Sequence, residues 1–127
     1  MNIINYYRDK IKKIIRKEFS LEESDLKNIS FEFPRDSSLG DLSTNASMIL
    51  SGKLKKSPQE IASKIINLIE NNPDFENVEI AGKGFINIKL KKNVWWNLLS
   101  KIFNEKNNYG DTDYGRNEKI NIEYVSA

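Results

Sequence analysis

The sequence predicts an α+β domain, a two-layer arrangement in which helices pack on one face of a small, mainly antiparallel sheet. Three observations lead there. Residues 2–19 repeat apolar side chains every three to four positions, as an amphipathic helix does. "NVEIA" and "FINIKL" flank "GKG" and alternate with a period of two, as the arms of a hairpin do. The order helix, strand, helix, helix, strand, strand, helix lacks the regular alternation of a parallel βαβ sheet.

The elements follow in order. The first helix carries Ile3, Ile4, Tyr7, Ile11, Ile14 and Ile15, completed by Phe19 or Leu21, with lysines between. Ser20 with Glu23 offers a capping box for a short second helical turn. "ISFEF" places Ile29, Phe31 and Phe33 on one strand face and Ser30 and Glu32 on the other, and Pro34 ends it. "PRDSSLGD" reads as a polar loop. Asp41 then caps a helix through "LSTNASMILSGKL", with Gly52 and Lys53 at its frayed end. Asn45, early in that helix, is expected to bond back to the loop "RDSSLG".

"SPQE" at residues 57–60 is the strongest local signal, with a serine N-cap, proline at the first helical position and glutamate at the third. The helix it starts carries Ile61, Ile65, Leu68 and Ile69 and stops near "NNPD". After the hairpin, "NVWWNLLSKIF" returns to helical periodicity through Val94, Trp95, Leu98, Leu99 and Ile102. "NNYGDTDYGRN" is a turn-rich linker, and "KINIEYVSA" opens a fresh strand. A lone strand with both edges open should fray or pair with another molecule.

Composition narrows the function. The chain has 127 residues, one domain's worth, with 39% hydrophobic and 30% charged side chains. It contains neither cysteine nor histidine, which excludes disulfides, a zinc-finger site and Cys- or His-based catalysis within it. No run approaches a membrane span, and the first residues lack the apolar core of a secretory signal. A reducing, cytoplasmic setting is compatible. The net charge is only +2, but it is unevenly spread. Residues 1–19 hold six Lys/Arg against two acids, residues 20–49 two against six, and residues 82–106 six lysines against Glu105. The last cluster is either a solvated face or an electrostatic footprint for nucleic acid.

The turn Gly82–Lys83–Gly84 is no phosphate cradle. It lacks a third glycine and opens a strand rather than a helix, so its glycines read as hairpin geometry. Asp41, Asp36 and Glu32 could cluster, and Ser43 and Thr44 offer hydroxyls, but no base stands beside them and capping is the simpler role for Asp41. One feature of the hairpin is unusual. Ile86, Ile88 and Leu90 make a core-facing row, while the row expected to face water holds Phe85, Asn87 and Lys89. From the pattern alone, Phe85 either covers the end of the sheet or stands out to meet a ligand. A strand face can seat both functions of an RNA reader, since residues i and i+2 share it about 6.5–7 Å apart. An aromatic ring stacks an unstacked base, and an asparagine amide offers a donor and an acceptor to its edge.

"PRDSSLGDLSTNASMIL", "SPQEIASKI", "VEIAGKGFINIKL" and "NIEYVSA", in that order and spacing, resemble the N-terminal portion of arginyl-tRNA synthetase, a class I aminoacyl-tRNA synthetase. The likeness covers roughly residues 30–127. It implies an N-terminal additional domain over residues 1–106, then a linker and the first strand of the catalytic domain over residues 107–127. The chain would be a fragment ending just before the His-x-Gly-His region, inactive alone. The resemblance implies contact with the D-loop at the elbow of an arginine tRNA. Phe85 and Asn87 match the aromatic-x-Asn pair; independently of the resemblance, the charges of Lys83, Lys89, Lys91 and Lys92 suit nearby phosphates. Glu123 matches an acid of the arginine pocket. No catalytic residue and no metal site is expected in these residues. No cofactor is expected in the fragment, whereas ATP with Mg serves the full-length enzyme. The expected partners are tRNA and the enzyme's own catalytic domain, with no membrane, in a monomer. The alternative is a docking module whose Phe85 row binds a protein or the enzyme's own body. Trp95 is expected inside. Trp96 faces either the catalytic domain or solvent as a half-buried surface residue. Lys53, Lys55 and Lys56 match no motif.

Overall fold

The structure is a computed structural model and describes residues 2–113 and 115–125. Its helices are α1 (Ile3–Glu18), α2 (Glu23–Leu26), α3 (Ala46–Leu54), α4 (Pro58–Ile69) and α5 (Lys92–Glu105). The strands are β1 (Phe31–Glu32), β2 (Leu42–Thr44), β3 (Phe75–Ala81) and β4 (Phe85–Leu90). They form one antiparallel sheet in the order β1-β2-β4-β3. The α+β class and the single helical layer are as the sequence implied.

The core lies between sheet and helices. Ile3, Tyr7, Ile11 and Ile15 of α1 are buried, one residue per turn. They meet Ile61, Ala62, Ile65 and Ile69 of α4, and Leu42, Ile86, Ile88 and Leu90 from the sheet. Each such aliphatic side chain contributes about 1.5–3 kcal/mol when fully removed from water. Leu68, expected with them, is 38% exposed, because Ile69 and Ala62 already close the stripe. Tyr7 sends its hydroxyl to Asp74 at 3.1 Å, joining α1 to the start of β3. Burial, and then the neighbouring Asp74 charge, hold its phenol well above the ordinary tyrosine value.

Several local signals hold. The Ser57 side chain accepts from the Glu60 N–H at 3.2 Å, with Pro58 at the first position of α4. We expect Ser57→Ala to lower stability by about 1 kcal/mol, read as a shift in the urea midpoint with the slope unchanged. The hairpin pairs Ile80 with Ile86 and Ala81 with Phe85, and its two turn glycines have positive φ, +55° at Gly82 and +127° at Gly84.

Other expectations are corrected. Ser20 does not cap α2, since its φ of +51° belongs to the left-handed turn that ends α1. Glu22 and Asp25 form the capping box instead. The strand of residues 29–33 shrinks to Phe31–Glu32, and Phe33 turns out to 60% exposure at the residue before Pro34. Part of the polar loop is a 3₁₀ turn, Ser37–Leu39.

The helix expected from Asp41 begins only at Ala46. Residues 42–44 form the central strand β2, paired on one side to β1 and on the other to β4. Asp41 is not a helix cap: its carboxylate accepts from the Leu90 N–H at 2.8 Å, and its own N–H donates to Ile88 O at 2.9 Å. Asn45 bonds back upstream of the loop, with Oδ1 accepting from the Ser30 N–H and Nδ2 donating to Asn28 O. Gly52 lies inside α3, whose end is Lys55 in the left-handed region. The described residues from 118 to 125 make no strand ladder, and the end of "INIEYVSA" lies outside the described residues.

Candidate nucleic-acid interface

Alternation divides the sheet into two faces. Thr44, Ile86, Leu42 and Ile88 point to the helices. The register aligns Glu32, Ser43, Asn87 and Glu79 across all four strands on the opposite face. Phe85 and Lys89 flank Asn87 on the same strand and face.

That face is not open. The segment from Phe33 to Gly40 folds back across it, held by the two bonds of Asp41 to β4. Gly40, at φ +118°, lies so close to the strand that a Cβ there would come within 2.9 Å of Ile88 O. Between this segment, the sheet and the hairpin turn runs a groove of about 450 Å³, lined by Phe33, Arg35, Leu39, Ser43, Phe85 and Asn87 among others.

Phe85 stands at the groove, 43% exposed. Asn87 is only 3% exposed, which corrects the expected water-facing row. The covering segment buries it, a long-range effect that alternation within one strand cannot carry. Its side-chain nitrogen, Nδ2, is buried and makes no hydrogen bond within the described residues. An orphaned buried amide donor costs about 1–3 kcal/mol, so it calls for an explanation.

Lys83 is exposed on the turn. Lys89 is exposed too and pairs loosely with Glu76 at 3.8 Å. Lys91 and Lys92 are exposed at the start of α5. Glu123 is exposed in the C-terminal segment. The Asp41–Asp36–Glu32 cluster does not form a site. Asp41 is bonded to β4, and Asp36 caps the 3₁₀ turn through Ser38, whose side-chain and backbone hydrogen bonds hold its carboxyl below the usual range. Among the described residues no group of three or more acids could hold a metal ion.

Two groove residues were missed in the sequence. Alternation puts Phe33 on one strand face with Ile29 and Phe31, and Arg35 falls in the polar loop. The signal for both was Pro34, which breaks the strand between them and turns Phe33 outward.

A family model described as "Arginyl tRNA synthetase N terminal domain" matches residues 5–90. The chain belongs to this family. Arginine–tRNA ligases of Bartonella tribocorum and Bartonella bacilliformis are 44% and 42% identical to it over its whole length, and that of Brucella anthropi is 40% identical. The chain spans 22% of the length of each of these ligases. A Plasmodium falciparum arginyl-tRNA synthetase structure superimposes with a TM-score of 0.67 at 24% identity, covering 80% of this chain and 18% of that one. The Thermus thermophilus synthetase gives 0.60 at 17% identity over 76% and 15%. At those identities the structures speak for the fold alone. The arginyl-tRNA synthetase N-terminal fold thus accounts for the four-stranded sheet with helices on one face.

Proposed function

We propose that this chain is the tRNA-elbow-binding portion of an arginine–tRNA ligase, contacting the D-loop while the whole enzyme attaches arginine in an ATP-dependent reaction. One observation carries the reading. The unpartnered Nδ2 of Asn87 lies buried at a groove beside an exposed aromatic ring, Phe85.

An RNA loop base supplies what that groove lacks. Its flat face stacks on Phe85, a contact worth about 1–3 kcal/mol. Its edge offers an acceptor to Nδ2, and burial in a low-dielectric setting strengthens that bond. Phe33, 60% exposed at the same groove, is a second apolar wall. Arg35, Lys83, Lys89, Lys91 and Lys92 are exposed and supply charge for nearby phosphates, a contribution that salt weakens.

In this reading residues 1–106 are the tRNA-elbow domain and residues 107–127 the linker and first catalytic strand. Glu123 then serves the arginine pocket, where a carboxylate and a guanidinium make paired, charge-assisted hydrogen bonds. ATP with Mg belongs in this reading to the full-length enzyme; among the described residues no group of three or more acidic side chains could hold a metal ion. The ligase acts in the cytoplasm, as a monomer. No helix of the described residues is long and apolar enough to cross a membrane.

The test titrates the full-length ligase with its arginine tRNA. Phe85→Ala should lower kcat/KM for tRNA by about tenfold, within the range a lost stack produces, with arginine and ATP dependence unchanged. Asn87→Ala should act in the same direction. Unchanged aminoacylation kinetics in both variants would overturn the reading and favour a docking role for the Phe85 face.

A further inference from the structure

The helix α5 differs from the other long helices. α1, α3 and α4 each bury at least three side chains, whereas no residue of α5 is buried. Val94, Trp95 and Leu98 pack partly against the core. Even there a gap of about 260 Å³ separates α5 from Tyr6 and Tyr7 of α1. The other side of the helix is apolar and open: Trp96 is 67% exposed, Leu99 54% and Phe103 78%. Their spacing of three and four puts them on one stripe. With Ser100, Ile102 and Asn104 they line a shallow groove that contains no charged residue.

We infer that α5 is an interdomain helix whose Trp96–Leu99–Phe103 stripe is covered, in the full-length ligase, by the catalytic body of the same polypeptide. The inference rests on the reading of this chain as the N-terminal part of a ligase. Three observations select that occupant. The family match ends at Leu90, just before α5, and the helix joins the core of the matched residues only through Val94, Trp95 and Leu98. The ligases that align with the whole chain are several times longer, since it spans only 22% of their length. The segment after α5 carries further exposed apolar side chains, with Ile120 69%, Ile122 65% and Tyr124 89% exposed, which need cover of their own.

The competing occupants fit less well. The exposed parts of the three side chains amount to roughly 400 Å². Two copies facing each other would bury about twice that, short of the roughly 1,200–2,000 Å² of a stable association. Within one chain the same area suffices, because the tether supplies the effective concentration. The groove itself is uncharged, and the stripe carries lysines only at its two ends, Lys92 and Lys106, so an RNA backbone would meet cations only at its margins.

The test is hydroxyl-radical footprinting of the unaltered full-length ligase without tRNA, read residue by residue by mass spectrometry. Phe33 is the internal reference, being 60% exposed against 78% for Phe103 in this domain. The expected result is that Phe103 oxidises several-fold more slowly than Phe33, at every enzyme concentration. Introducing Leu99→Asp should bring Phe103 back to the rate of Phe33 while the urea midpoint of the N-terminal domain stays nearly unchanged. Oxidation of Phe103 as fast as Phe33 in the unaltered enzyme would overturn the inference. So would protection that grows with enzyme concentration, which would assign the stripe to a second copy. Protection that arises only on adding tRNA would assign it to RNA and overturn it as well. None of these outcomes depends on whether Phe85 and Asn87 read a base.

Discussion

Gly84→Ala is expected to lower the unfolding free energy by about 3 kcal/mol. Two terms combine. At φ +127° the backbone of Gly84 occupies a region that favours glycine, and a side chain there costs on the order of 1–3 kcal/mol. A Cβ would also lie 2.7 Å from the Pro58 Cβ and 3.1 Å from the Ser47 Oγ. Pro58 is a rigid ring at the start of α4, so it cannot swing aside. Ser47, fully buried, donates its hydroxyl to Gly84 O and clamps the turn from α3. Gly82 supplies the control. It has φ +55° and nothing within 4 Å of its built Cβ, so Gly82→Ala should cost only about 1–2 kcal/mol. Urea unfolding of the two variants reads the difference, and equal losses would show that the contact with Pro58 relaxes freely. Because Gly84 precedes Phe85, its substitution should also weaken tRNA use beyond what Gly82→Ala does.

Asn87→Leu should separate stability from function. Leucine is close in shape to asparagine and removes the orphaned donor, so the substitution should raise stability by about 1–2 kcal/mol. The same change deletes the group proposed to read the base edge. It should lower kcat/KM for tRNA by about tenfold or more, from a lost contact worth roughly 1–3 kcal/mol. Opposite signs in the two measurements are the diagnostic result. A variant that is both less stable and unaffected toward tRNA would mean that the amide serves the fold, and the groove reading would fall. The contrast with Phe85→Ala is useful, since an exposed ring contributes little to the core and should change function without changing the urea midpoint by much.

Local signals in the chain read correctly wherever one segment's own chemistry decides the outcome. The α1 stripe of Ile3, Tyr7, Ile11 and Ile15, the Ser57–Pro58–Glu60 helix start and the Gly82–Gly84 turn are of this kind. Each depends on neighbours within a few residues, so spacing and residue type suffice. β2 was illegible for the converse reason. Three residues are too few to display alternation, and Leu42–Thr44 is extended because β1 and β4 both need a partner there. Asp41 shows the same limit: beside a helix-compatible run it looks like a cap, but its carboxylate is engaged by Leu90, forty-nine positions away.

The candidate site divides along the same line. Its identity as a row of Phe85, Asn87 and Lys89 was visible in the sequence, because strand alternation places those side chains together. Its depth was not. That Asn87 is almost fully buried beside the segment from Phe33 to Gly40, and that Phe33 and Arg35 join it at one groove, follow from a chain reversal anchored on β4. By itself, then, the sequence determined the helices, the hairpin and the side chains available for recognition, since these follow from short-range periodicity and turn chemistry. Only the tertiary structure decided which of them are buried, which amide is left without a partner and which helix face stays uncovered. Burial and hydrogen-bond satisfaction depend on residues far apart in the chain, and no local pattern encodes them.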